Sequence, residues 1–173
     1  MDERGAGHRA LGADAARALI TRKTQEFGGE WFAETYIEGR EFDLAIVETV
    51  DGPVVFPPAE ITFADRNSDA PRIYNFASKW AEGTDEYEAA LRVFPAREEP
   101  LFSELDRIAL ACWHHFGLTG FSHVEFRVDR MGRPYVLEVN ANPCLTREAG
   151  YIMAAEAGGW TQTQVVAALL DAA

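Results

Sequence analysis

The 173-residue chain is long enough to bury one hydrophobic core, and its apolar (47%) and charged (25%) fractions are those of an ordinary globular protein. Acidic residues outnumber basic ones by 28 to 16, for a formal charge of −12. That argues against nucleic acid as a partner, because such affinity comes mainly from Lys and Arg on phosphates. No apolar run approaches the roughly 20 residues of a membrane span, and the opening MDERGAGHRALG has no signal-peptide core, so a cytoplasmic protein with no membrane contact is expected.

The first predicted element is a helix over residues 14–27, with Asp14 as N-cap and Gly28 as C-terminal stop. EWFAETYI (30–37) reads as a strand, and Glu38-Gly39-Arg40 as a turn. EFDLAIVETV (41–50) alternates Phe42, Leu44 and Ile46 against Glu41, Asp43 and Ala45, the pattern of a strand with one wet face. After the turn signal Asp51-Gly52 comes a third strand, VVFPPAEI (54–61), whose Pro57-Pro58 bars it from being central and fully paired. Residues 62–90 contain no long periodic segment. Their aromatic residues Tyr74, Phe76, Trp80 and Tyr87 favour a packed functional loop.

Ser103 opens a helix that carries Leu105, Ile108, Ala109, Cys112 and Phe116 on one face and ends at Gly117. Cys112 reads as a small apolar residue on that face, and His114 and His115 suit the helix C-terminus. FSHVEFRV (121–128) and PYVLEVN (134–140) flank Met131-Gly132 and form a β-hairpin. A last helix begins at Thr161, with Gln164 completing a capping box. Hairpins, a meander and a few helices make an α+β fold.

The hairpin carries the chemistry. Period two puts His123, Glu125 and Arg127 on one face of the first strand, and Val136, Glu138 and Asn140 on one face of the second, with Leu137 and Val139 in the core. A two-residue turn at Met131-Gly132 places Glu125 opposite Glu138 and His123 opposite Asn140, whereas a four-residue turn makes the carboxylates diagonal neighbours. Opposed carboxylates destabilise a sheet unless a proton or a cation intervenes. Two carboxylates and an amide oxygen are hard donors that suit Mg²⁺, which completes its shell with water and phosphate oxygens. The alternative is a solvent-facing hairpin in which Arg127 or His123 serves as counter-ion, and the spacing alone does not choose between them. General acid–base use of the pair leaves Asn140 without a role.

GFSHVEFRVDRMGRPYVLEVNANPCLT resembles the end of the ATP-grasp domain in the D-alanine–D-alanine ligase family. FAETYIEGREF (32–42) resembles that family's adenine-binding linker and the strand after it, and YNFASKW (74–80) its substrate- and phosphate-covering loop. The resemblance implies the C-terminal lobe of an ATP-grasp fold, a mostly antiparallel sheet with flanking helices. Residues 1–30 are then a remnant of the first ATP lobe with its helix, residues 31–173 are the C-terminal lobe, and the N-terminal domain and most of the first lobe are absent. It implies ATP- and Mg²⁺-dependent joining of a carboxylate to an amine through an acylphosphate, with Mn²⁺ as an alternative ion and small amino-acid or carboxylate substrates.

Position by position, the resemblance assigns Glu34, Thr35 and Ile37 to the adenine, Glu41 to the ribose hydroxyls and Lys79 to the phosphates. It makes Glu125, Glu138 and Asn140 the metal ligands. The reacting centre falls to His123, Arg127 and the backbone N–H of Cys144. The family has Asp at position 125, Arg at 123 and Gly at 144, so Arg127 is read as a substitute cation for the shorter His123. The residues that grip a second D-alanine are replaced in REAGY (147–151), and ERGAGH (3–8) is a remnant of the Gly-rich phosphate loop or a flexible terminus. Two functions follow: a ligase domain, or a non-catalytic nucleotide- and metal-binding subunit. Either one works as a homodimer or with a partner chain that supplies the missing lobe.

Overall fold

The computed structural model describes residues 12–64, 73–74, 78–79, 81, 83–96 and 100–172. ERGAGH, Phe76 and Trp80 lie outside the described residues. The chain divides into two compact units: Met1–Ile37 with Phe63–Ala90, and Glu38–Thr62 with Leu91–Ala173. Residues 31–37, grouped above with the second lobe, cluster with the first unit.

In the first unit, α1 spans Ala13–Phe27. Its N-cap is Gly12 rather than Asp14, which falls in the first turn and meets the helix dipole there. Gly28 ends the helix as expected, at φ 69°, its N–H donating to the Thr24 carbonyl. Lys23 is buried, with its ammonium 4.7 Å from the centre of the Phe27 ring and 5.8 Å from that of Trp31. The strand expected over 30–37 does not form. Phe32 is exposed, and these residues pair with no other strand among those described. A short helix, α2 (Asp85–Ala89), is capped by Thr84, whose hydroxyl accepts from the Tyr87 N–H.

The second unit is built on a six-stranded sheet in the order β4-β3-β1-β5-β6, with β2 also paired to β1. The strands are β1 (Gly39–Thr49), β2 (Gly52–Val55), β3 (Ala59–Phe63), β4 (Ala90–Val93), β5 (Phe121–Asp129) and β6 (Pro134–Asn140). Gly39 is not a turn residue. It pairs with Asp129 as β1 begins, where a Cβ would collide with the Val128 carbonyl. The Pro57-Pro58 pair splits the expected third strand in two. β2 pairs with the far half of β1 (Ile46 opposite Val55) and β3 with the near half (Asp43 opposite Ala59), leaving one extra residue on the proline side.

The helices are α3 (Pro100–His115), α4 (Gly150–Ala157) and α5 (Gln162–Asp171). α3 starts before Ser103, with Pro100 at its first position. Phe116 lies past its end and is exposed, because the apolar face is already closed by Phe102, Leu105, Ala109 and Trp113. Cys112 packs against that cluster as expected. The Thr161–Gln164 capping box of α5 is present in full. α4 has no long amphipathic pattern and was not anticipated.

Two cores sandwich the sheet. Phe42, Leu44, Ile46, Val124, Phe126 and Val128 pack with α3 on one face, and Ala45, Val47, Phe56 and Phe121 pack with α4 and α5 on the other. On this second face the Tyr151 hydroxyl donates to the Ile46 carbonyl at 2.8 Å, and burial pushes its pKa up. The wet face expected for β1 is therefore not wet. Ala45 lies under the helices, while Glu41 and Asp43, 4% and 3% exposed, lie under ionic partners. Among the described residues no helix is long and apolar enough to cross a membrane.

Candidate functional site

The odd-numbered face of β1 changes character along its length. Ala45 and Val47 are apolar, and Glu41 and Asp43 are not. Register carries the polar part onto the neighbouring strands. Glu41 stands opposite Arg127, Asp43 opposite Glu125, and Ala45 opposite His123. On the other side of β5, Glu125 stands opposite Glu138 and His123 opposite Asn140. Asp43, Glu125 and Glu138 thus form a row of carboxylates across adjacent strands, at the ~4.8 Å strand spacing of a sheet.

The register arises differently from the simple two-residue turn. The Asp129 carboxylate accepts from the N–H groups of Met131 and Arg133, and the Asp129 N–H donates to the Arg133 carbonyl. Gly132 takes φ 79° within this longer turn. On the turn side of the hairpin Phe126 pairs with Val136 and Arg127 with Tyr135, and a shift between Glu125 and Phe126 then leaves Leu137 as an extra residue in β6. The bulge restores the Glu125–Glu138 pairing. Val136 consequently pairs with core-facing Phe126 instead of sharing the face of Glu138, and Leu137 is 51% exposed rather than in the core. Val139 does pack against the α3 core.

The ionic groups of β1 and β5 have defined neighbours. The Arg127 guanidinium donates to Glu41 at 2.9 Å, with both side chains buried. That pairing competes with the ribose role read for Glu41 and with the phosphate role read for Arg127. Asp43, which sequence reasoning missed, receives Arg92 at 3.4 Å and lies 3.7 Å from His123 Nε2; its Oδ1 is buried and has no hydrogen-bond partner among the described residues. His123 Nδ1 is 3.9 Å from Glu125. The available signal for Asp43 was its place two residues after Glu41 on a β-strand face.

The Asn140 amide oxygen accepts from the Asn142 N–H at 2.9 Å, which turns the chain at the end of β6. Among the described residues no non-glycine has positive φ, so Cys144 stands where the resemblance expects glycine without left-handed strain. Its exposed thiol lies 3.4 Å from the Thr146 hydroxyl, and that hydrogen bond, followed by one from the Thr146 backbone, lowers its pKa. In the first unit Glu34 and Thr35 are exposed and Ile37 is half-buried, while the Lys79 ammonium sits 5.2 Å from the centre of the Tyr74 ring. Among the described residues no three His, Cys, Asp or Glu side chains converge as a metal site by themselves. The donors at the hairpin are instead two opposed carboxylates, the Asn140 oxygen, and whatever a ligand brings.

A family model described as D-ala D-ala ligase C-terminus matches residues 15–171. The chain belongs to that family. A D-alanine–D-alanine ligase of Pseudoalteromonas translucida is 30% identical over 146 residues, which make up 84% of this chain and 43% of the relative. An uncharacterised protein of Sinorhizobium fredii is 28% identical over 92% of this chain and 44% of its own length. Among solved structures, the D-alanine–D-alanine ligase of Bacillus anthracis complexed with ATP superposes with a TM-score of 0.66 at 20% identity, covering 90% of this chain and 46% of that one. The Coxiella burnetii ligase gives 0.69 at 16% identity, with 94% and 39% covered. These superpositions establish the α+β fold of the C-terminal part of such ligases. The chain spans under half the length of the relatives it matches.

Proposed function

We propose that this chain is the C-terminal lobe of an ATP- and Mg²⁺-dependent carboxylate–amine ligase of the cytosol, completed by the other ATP-grasp lobe. The observation that carries this reading is the pairing of Glu125 with Glu138 beside that of His123 with Asn140. Like charges placed directly opposite each other cost stability unless something positive joins them, and the Asn140 oxygen adds a hard neutral donor. Glu125, Glu138 and Asn140 are thus the residues that would hold a magnesium ion. Bound there, the ion would offset phosphate charge.

Glu34, Thr35 and Ile37 would meet the adenine, and Lys79 the phosphates. In the reaction a substrate carboxylate oxygen attacks the terminal phosphorus of ATP and ADP departs. The amine nitrogen then attacks the acyl carbon, phosphate leaves, and the nitrogen gives up a proton. The chain's part is to hold the reactants in line and to meet the developing oxyanion with His123 and the Cys144 N–H. Its substrates are small amino acids or carboxylates.

Calorimetry with ATP and Mg²⁺ tests the reading. Binding that needs both the metal and Glu138 supports it. If neither ATP nor ADP binds and Glu138→Gln changes nothing, the site assignment is wrong. A second reading, a nucleotide- and metal-binding subunit without catalysis of its own, is favoured by His123 standing where the resemblance expects arginine. Phosphate release dependent on an amino-acid pool, once the other lobe is supplied, separates the two.

A further inference from the structure

Arg92 lies on β4, two strands from Asp43 in the order β4-β3-β1, a gap of roughly 10 Å between strand axes. It nevertheless reaches the Asp43 carboxylate at 3.4 Å. The intervening strand places Ala59 opposite Asp43, a side chain too small to block the way. At the far end of its reach the guanidinium occupies the space beside Gly150. A Cβ there would lie 2.6 Å from the guanidinium carbon and from Nη2. Gly150 is the first residue of α4, where backbone N–H groups have no partner within the helix. The same Asp43 oxygen lies 3.7 Å from His123 Nε2. One buried carboxylate thus gathers a guanidinium and an imidazole, whose side chains are 16% and 14% exposed.

We propose that Arg92, oriented by Asp43 and accompanied by His123, is an oxyanion-binding residue of this site and takes a phosphate or carboxylate oxygen of the ligand. A planar guanidinium suits either group. Asp43 acts as a positioning residue, and position 150 is glycine because the guanidinium needs its volume. The carboxylates of Asp43, Glu125 and Glu138 oppose a bare anion, whereas an anion that arrives with a divalent cation meets no such barrier. The inference therefore rests on the metal–nucleotide reading for its affinity, but not for the identity of the residue.

The test uses the whole chain without nucleotide. Inorganic phosphate and, separately, acetate are titrated with and without Mg²⁺ while the His123 ring signals are followed by NMR. The expected result is a saturable shift, tighter with Mg²⁺ and weakened about tenfold or more by Arg92→Gln. Arg92→Lys keeps the charge but not the fork, and so binds at an intermediate level. Gly150→Ala, which removes no charge and needs no unusual φ, weakens binding by displacing the guanidinium. Arg107→Gln, on the exposed face of α3, leaves the titration unchanged. A response to phosphate alone assigns the transferred phosphoryl group, and one to acetate alone assigns a substrate carboxylate. The proposal is overturned if neither anion shifts His123, or if Arg92→Gln titrates like the wild-type chain. Saturable binding that ignores Mg²⁺ and survives Glu138→Gln keeps the Arg92 assignment and removes the metal reading instead.

Discussion

Glu125 on β5 and Glu138 on β6 face each other directly, although the turn-side halves of the same two strands are registered one residue out of step. The bulge at Leu137 absorbs the difference. Without that extra residue the turn-side register would set Glu125 against Leu137, and Glu138 would point to the opposite face. The carboxylate pair is therefore a property of a two-part register, not of the turn.

Glu138→Gln should stabilise the metal-free chain by about 0.2–1 kcal/mol, more at low salt, because it removes a cross-strand repulsion. Mg²⁺ should raise the melting temperature of the wild-type chain and leave the variant unmoved. Thermal melts in chelator and in Mg²⁺ check both halves. A wild-type chain indifferent to Mg²⁺, together with a less stable variant, would rule out the pair as a cation site.

Arg127→Met should cost roughly 3–5 kcal/mol in urea unfolding, since it takes the guanidinium away from a buried carboxylate 2.9 Å distant. Pairing it with Glu41→Leu should recover much of that loss, as expected for two residues in contact. If Arg127→Met instead left stability intact and weakened only ligand binding, Arg127 would belong to the reacting centre and not to the sheet.

The two thiols should separate kinetically. Burial raises the pKa of Cys112, while the Thr146 hydrogen bonds lower that of exposed Cys144. A thiol-specific reagent should modify Cys144 first. Cys144→Ser should remove the fast phase, and the Cys112 phase should follow unfolding. Equal rates for the two would contradict the packing of Cys112 against the α3 core.

The hairpin turn should weaken in acid. The Arg133 N–H foremost, then the Arg133 side chain and the Met131 N–H, hold the Asp129 carboxyl below the usual aspartate range. A depressed folded-state pKa contributes stability that is fully present above the unfolded value of about 3.9 and is lost as pH falls toward the folded value. Asp129→Asn should therefore be less stable than wild type at neutral pH, with the gap closing below about pH 4. Acid titrations of both chains by circular dichroism read this directly.

Much of this was legible in the chain itself. Helical spacing placed Leu105, Ala109 and Cys112 of α3 on one face, and Thr161 and Gln164 announced the start of α5. Pro57-Pro58 signalled that residues 54–61 could not be one fully paired central strand, although not that they divide between β2 and β3. Short-range rules suffice for these features because the groups that decide them are within a few residues of one another. EWFAETYI failed as a strand for the complementary reason, since β propensity supplies no neighbour to pair with.

By itself the sequence determined the α+β class, the antiparallel hairpin and the grouping of carboxylate, amide and imidazole at its end. The class and the hairpin follow from helical and period-two spacing and turn signals acting locally, whereas the direct facing of Glu125 and Glu138 needs the bulge at Leu137. Only the tertiary structure decided what covers each face. Alternation reports that Glu41 and Asp43 share a side of β1, but not that Arg127 and Arg92 come from distant parts of the chain to meet them. The apolar run Tyr135-Val136-Leu137 conceals the bulge, because these residues read equally well on either face of β6. Burial of charge is settled by long-range partners, and those are chosen by the packed sheet as a whole.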